Sequence, residues 1–213
     1  MNTELSAEDS EQSPTVFFFS QLAQQYRIWL VAGLVLRCVN SALNTLVAFS
    51  PDGCEQARYS KIHPFSFAGE NQFFQPGCTL SKVQMLDFSI GFSICYDLRF
   101  PELFSALSKN CDVLVNIANW PKKRANHWIT LLKARAIENQ TYMVGVNRIG
   151  IDGKGIEYAK SSFVVNANGD LIDPFITEEE IDVFELDRQD LIDFRKGFST
   201  RQDRRPDFYQ TVI

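Results

Sequence analysis

Phe88, Ile90, Phe92 and Ile94 alternate with small or polar neighbours and run directly into a charged turn, Cys95-Tyr96-Asp97-Leu98-Arg99-Phe100-Pro101-Glu102. Period-two alternation predicts a strand with one buried face. The turn then sets Cys95 at the strand's C-terminal edge, which is where open α/β sheets bind ligands. A thiol there can serve as a nucleophile if a neighbour takes its proton. The plainer alternative is a buried structural cysteine, because free cysteines are among the most buried residues.

Strands and helices interleave on both sides of this segment. Thr15 to Arg27 has apolar residues at helical spacing (Val16, Phe19, Leu22, Ala23, Tyr26), and Ser6 with Ala7, Glu8 and Asp9 is a candidate helix start. Ile28 to Leu36 reads as a buried strand with Asn44 to Phe49 as its hairpin partner, and Pro51-Asp52-Gly53 as a turn. Val83 to Cys95 gives two strands, Leu103 to Ser108 a helix and Val113 to Ile117 a fully apolar strand. Ala125 to Asn139 is an amphipathic helix and Tyr142 to Val146 a buried strand. A hairpin is expected from Ser161 to Ile172 around Asn168-Gly169-Asp170, a late strand from Ile181 to Leu186, and a short helix from Leu191 to Phe198. A charged tail follows, with Arg201, Arg204 and Arg205. The expected class is therefore α/β or layered α+β.

Composition narrows the function. With 213 residues and 45% apolar side chains, the chain suits one large domain. A net charge of −5 argues against nucleic acid or an anionic membrane as partner. The richest apolar run, Ile28 to Val39, is broken by Arg37 and is too short to span a bilayer. The five cysteines form no CxxC pair, and only His63 and His127 could supply imidazole. A zinc site is thus poorly supported, and reduced thiols in the cytoplasm are the expected state.

Three further segments bear on Cys95. Lys61 stands at the mouth of an irregular stretch, Ser60 to Pro76, and Glu70 lies within it; long irregular loops in compact domains are usually functional. Asn119-Trp120-Pro121 ends the apolar strand after Cys95 and should border the same sheet edge. A thiol, an ammonium and a carboxylate brought together suit acyl transfer, with the lysine facing the oxyanion and the carboxylate handling protons. Taken singly, Lys61 and Glu70 read as solvated charges, and Phe65, Phe67, Phe73 and Phe74 as residues pinning the loop to the core.

In order along the chain, Tyr59-Ser60-Lys61-Ile62-His63, Gly91 to Glu102, Ala118-Asn119-Trp120-Pro121, His127-Trp128, Ala134 to Gln140 and Asn147-Arg148-Ile149-Gly150 resemble the nitrilase superfamily of carbon–nitrogen hydrolases, in its omega-amidase branch. The resemblance implies one carbon–nitrogen hydrolase domain over residues 1–213, folded as a four-layer α-β-β-α sandwich. It implies Cys95 as nucleophile, Lys61 and the Tyr96 N–H as oxyanion donors, and Glu70 as the group orienting the amide or water. Asn119 and Trp120 would border the substrate, while Arg99, Glu102, Arg135 and Glu138 would be scaffold or interface residues.

The implied reaction hydrolyses the terminal amide of a small dicarboxylate monoamide, such as a 2-oxo acid amide, through a cysteine thioester, with no cofactor or metal and in a homo-oligomer, a dimer at least. Carbamoyl or nitrile hydrolysis and a non-catalytic binding protein on the same scaffold stay open as alternatives. The family carries a further glutamate in a Pro-Glu motif, and none precedes Lys61 here. Met1 to Glu4 resembles the residues just after that motif, so an opening β-α-β portion of about 40–60 residues is expected to be missing from the domain. Weak stability, or dependence on a partner, is the corresponding expectation.

Overall fold

Apolar alternation builds two sheets in the computed structural model, which describes residues 3–39, 41–178 and 181–212. The first sheet is antiparallel and contains β1 (Leu30–Cys38), β2 (Ser41–Phe49) and β3 (Glu55–Ser60) in that order. The second is built on β4 (Lys82–Met85), β5 (Phe88–Ile94), β6 (Val113–Ala118) and β7 (Tyr142–Asn147). A two-residue ribbon, β8 (Gly150–Ile151) with β9 (Glu157–Tyr158), comes next. Then β10 (Phe163–Val165) and β11 (Leu171–Ile172) extend the second sheet, giving the order β11-β10-β7-β6-β5-β4. A last ribbon joins β12 (Ile176–Thr177) to β13 (Asp182–Val183). The helices are α1 (Thr3–Ser6), α2 (Pro14–Tyr26), α3 (Pro101–Leu107), α4 (Ala125–Asn139), α5 (Arg188–Gly197) and α6 (Pro206–Val212). Among the described residues, no helix is long and apolar enough to cross a membrane.

Side-chain parity sorts these elements into layers. In β2, Leu46 and Ala48 face the second sheet and pack with Phe92 and Ile94 of β5. Their neighbours Val47 and Phe49 face the other way and pack on Ala23 of α2. The outer face of the second sheet, with Leu114 and Met143, is covered by Phe104 and Leu107 of α3 and by Trp128, Leu132 and Ala136 of α4. The order is helix, sheet, sheet, helix. The sheets approach closely at Gly33, where an added Cβ would lie 2.7 Å from Ile117 Cδ1.

Three expectations are corrected. No helix opens at Ser6, which instead ends α1, while α2 begins one residue before the expected Thr15. Ser13 caps α2 by accepting the N–H of Val16 (3.0 Å), and Pro14 fits its first turn. Glu8 is not helical: its backbone bridges Leu36, and its carboxylate accepts the N–H and hydroxyl of Thr15 at the same helix start. The late strand shrinks to the two residues of β13, because Ile181 is 63% exposed and has no core face to fill. The aromatic loop residues divide as well, since Phe74 is buried against Ala7 and Ala42 whereas Phe67 is 87% exposed.

The basic tail is anchored. Arg201 donates to the carbonyls of Ser108 (2.7 Å) and Asn139 (3.0 Å), and Arg204 to that of Glu138 (2.8 Å). Cations there satisfy carbonyls that the end of α4 leaves open.

Candidate active site

β5, β6 and β7 run parallel, pairing Ile94 with Ile117 and Ala118 with Asn147. The residues just beyond them, Cys95, Asn119 and Arg148, therefore share one sheet edge. Cys95 leaves β5 in the left-handed region, with φ of +50°. It opens a 3₁₀ turn, Cys95–Arg99, that leads into α3. Its Sγ lies 4.0 Å from the carbonyl oxygen of Asn119. Burial pushes the thiol's pKa up, the charge of Lys61 pulls it down, and Glu70 and Asp97 push it up further, for a net rise. At neutral pH the sulfur therefore holds its proton and needs a base.

Lys61 continues β3 by donating its N–H to Asn44 O (2.8 Å). Beyond it, two short 3₁₀ turns, Ser66–Ala68 and Glu70–Gln72, hinge at Gly69 with φ of +72°. They turn the loop back so that Glu70 meets Lys61, Nζ to Oε2, at 2.6 Å. The two residues are 3% and 4% exposed, so this is a buried ion pair and not the pair of solvated charges each suggests alone. Glu70 Oε2 also accepts the Phe65 N–H (2.7 Å), and Oε1 accepts from Asn44 Nδ2 (3.0 Å). Burial alone would raise the Glu70 pKa, but the Lys61 charge and these donors outweigh it and hold the carboxyl below its ordinary value.

Asp97 has no role in the reading of the sequence, yet it ties the site together. Fully buried, it accepts from Tyr59 Oη (2.7 Å) and Ile94 N (2.9 Å) on Oδ2. On Oδ1 it accepts His63 N (3.0 Å) and pairs with His63 Nδ1 (2.8 Å). Tyr59 and His63 stand two residues either side of Lys61, so one carboxylate braces the lysine segment against the cysteine turn. The signal in the sequence is an acid two residues after a strand-terminal cysteine, in a turn with free N–H groups to hold. A carboxylate has about four acceptor positions. Asp97 fills four, whereas Glu70 fills three and keeps capacity on Oε1.

The other expected residues divide. Tyr96 is the second residue of the 3₁₀ turn, a position whose N–H has no partner within the turn. Its ring packs on Phe65 (centroids 4.7 Å apart) and Phe100 (5.2 Å). Asn119 is exposed and meets Cys95 through its carbonyl. Trp120 is 4% exposed and packs on Trp128, with its N–H bonded to Asn147 Oδ1 (2.7 Å) and its Nε1 to Arg124 O (2.8 Å). It supports the edge from beneath. Arg135 acts as scaffold, donating to Leu98 O at 3.1 and 2.9 Å and to Glu138 at 2.9 Å.

Comparison with known proteins bears on this arrangement. A family model described as carbon-nitrogen hydrolase matches residues 2–196. A protein named 2-oxoglutaramate amidase from Paenarthrobacter nicotinovorans is 35% identical, over 96% of this chain and 74% of its own. The Omega-amidase YafV of Escherichia coli strain K12 is 34% identical, over 94% of this chain and 78% of its own. Among solved structures, XC1258 from Xanthomonas campestris, a CN-hydrolase superfamily protein with an arsenic adduct in its active site, superposes with a TM-score of 0.86 at 32% identity. That match covers 93% of this chain and 77% of the other.

Proposed function

The chain belongs to the carbon–nitrogen hydrolase family, and from that premise we propose that it hydrolyses the terminal amide of a small dicarboxylate monoamide, of the 2-oxo acid type, to the acid and ammonia. Relatives named omega-amidase and 2-oxoglutaramate amidase, alike over most of this chain, support that choice of substrate. The observation that carries the chemistry is the buried Lys61–Glu70 pair within electrostatic reach of the Cys95 thiol.

In this reading Cys95 gives its proton to Glu70, whose Oε1 has a free acceptor position, and the thiolate attacks the amide carbon. Lys61 Nζ and the Tyr96 N–H stabilise the oxyanion of the tetrahedral intermediate. Glu70 returns the proton to the amide nitrogen, the C–N bond breaks, and ammonia leaves a thioester on Cys95. Water then attacks the thioester carbon, giving its proton through Glu70 to the departing sulfur, and the acid is released. The Lys61 side chain is fixed by its 2.6 Å bond to Glu70, so its position is set before the oxyanion forms. No cofactor takes part in this scheme.

The same reading sets residues 1–213 as a single domain working in the cytoplasm as a homodimer. Five unpaired cysteines support the reducing setting. An apolar groove lined by Ile137, Phe194, Phe198 and Tyr209 supports self-association.

The test is ammonia release from 2-oxoglutaramate. The wild-type chain should release it and Cys95→Ala should not. Mass spectrometry of the quenched wild-type reaction should find the acyl group on the Cys95 peptide. Equal release by both proteins would remove Cys95 from the chemistry.

A further inference from the structure

We propose that Arg124 forms the site that binds the distal carboxylate of the substrate. The inference rests on the amidase reading above and extends it, because a terminal amide could be cleaved without any recognition of the far end of the molecule.

Arg124 closes the 3₁₀ turn Lys122–Arg124, which comes after β6 and so emerges at the same sheet edge as Cys95. Its guanidinium carbon lies 5.5 Å from the ring centre of Phe65. That ring packs against Tyr96, the neighbour of Cys95, and the Phe65 N–H is bonded to the Glu70 oxygen that holds Lys61. Phe65 thus forms a short aromatic wall with the catalytic groups at one end and a cation at the other. In a four- or five-carbon monoamide the carboxylate stands about 5 Å from the amide carbon, a few C–C bonds away.

Three other cations at this edge are engaged, and Lys123, the middle residue of the turn, is exposed. Lys122 is paired with Glu157 at 2.6 Å. Arg99 lies over the Trp120 ring (5.0 Å) with Nη2 3.3 Å from His127 Nδ1. Arg148 lies over Tyr158 (4.8 Å), beside the charge of Asp152. Arg124 is half-buried, and among the described residues its guanidinium meets only the Phe65 face, with no carboxylate paired to it. Its backbone is nonetheless fixed, since Trp120 Nε1 donates to Arg124 O (2.8 Å) and Arg124 N to Pro121 O (2.9 Å). A planar, pre-positioned guanidinium with free N–H groups is the donor best matched to a carboxylate. Trp120 would then serve the substrate at one remove, by holding Arg124.

The experiment compares the wild-type chain with Arg124→Met and Arg124→Lys. The substrates are glutaramic acid and pentanamide, five-carbon amides with and without the carboxylate. The expected result is a ratio of kcat/KM values, acid over neutral amide, that falls on the order of 10²-fold in Arg124→Met and less in Arg124→Lys. An unchanged ratio would overturn the assignment. Glutarate binding by calorimetry reads the site without turnover, and it should be measurable in the wild type and lost in Arg124→Met. If the wild type binds glutarate through Arg124 but cleaves neither amide, the carboxylate site stands and the amidase reading falls. If amides are cleaved but glutarate binds equally to both proteins, or to neither, the amidase reading stands and the Arg124 site falls. Matched circular dichroism and melting temperatures exclude misfolding as the cause, since the bonds that fix Arg124 use its backbone.

Discussion

Glu70 holds three donors with two oxygens, and one of those donors is a buried ammonium. Glu70→Gln leaves Lys61 charged without its counter-charge, which should cost about 3–5 kcal/mol of stability. The pH dependence comes from the direction of the Glu70 shift. Its folded pKa lies below the ordinary 4.5, so the stability it contributes is complete above 4.5 and is lost as pH falls through the folded value. Melting temperatures across the acid range should fall more steeply in the wild type than in Glu70→Gln. The Cys95 thiol is shifted the other way, and alkylation by iodoacetamide should quicken as pH rises above neutrality. Cys95 also holds φ of +50°, where any Cβ is strained. Cys95→Gly should thus be more stable than Cys95→Ala by about 1 kcal/mol in denaturant titrations.

At the scale of elements, α4 is positioned by an absent side chain. A Cβ on Gly145 would lie 2.5 Å from Leu132 Cδ1 and 2.8 Å from Trp128 Cζ2. Gly145→Ala should therefore push the helix off the sheet and cost about 1–3 kcal/mol, measurable by chemical denaturation. The bounds of α4, Ala125–Asn139, were legible in the sequence because its apolar period is long and unambiguous. β5 was legible because its alternation is strict. The role of Ser6 was not. It is a good cap by residue type, yet it ends α1, and the backbone of Glu8 just after it pairs with β1 and so cannot be helical. The same limit applies at the site. Cys95, Lys61 and Glu70 could be named from motif and loop, but the closing of the loop at Gly69 and the bracing by Asp97 depend on contacts across 26 to 38 residues of chain. No local pattern encodes these.

At the scale of the molecule, two helical layers enclose the two sheets, and the edge that carries Cys95 opens where three parallel strands end together. The basic tail, which composition alone marks as charged, instead ties the end of α4 to the turn after α3 through Arg201 and to α3 itself through Arg204. The Lys61 ammonium and its Glu70 counter-charge lie under the same packing, 3% and 4% exposed. Mobile counter-ions screen charges that water reaches, over about 8 Å at 0.15 M, and act far less on buried pairs. The chemical step should therefore be nearly indifferent to ionic strength, while the capture of an anionic substrate at a half-open guanidinium should not. Raising sodium chloride should lift KM and leave kcat level, so that a salt titration alone separates the steering of the substrate from its cleavage.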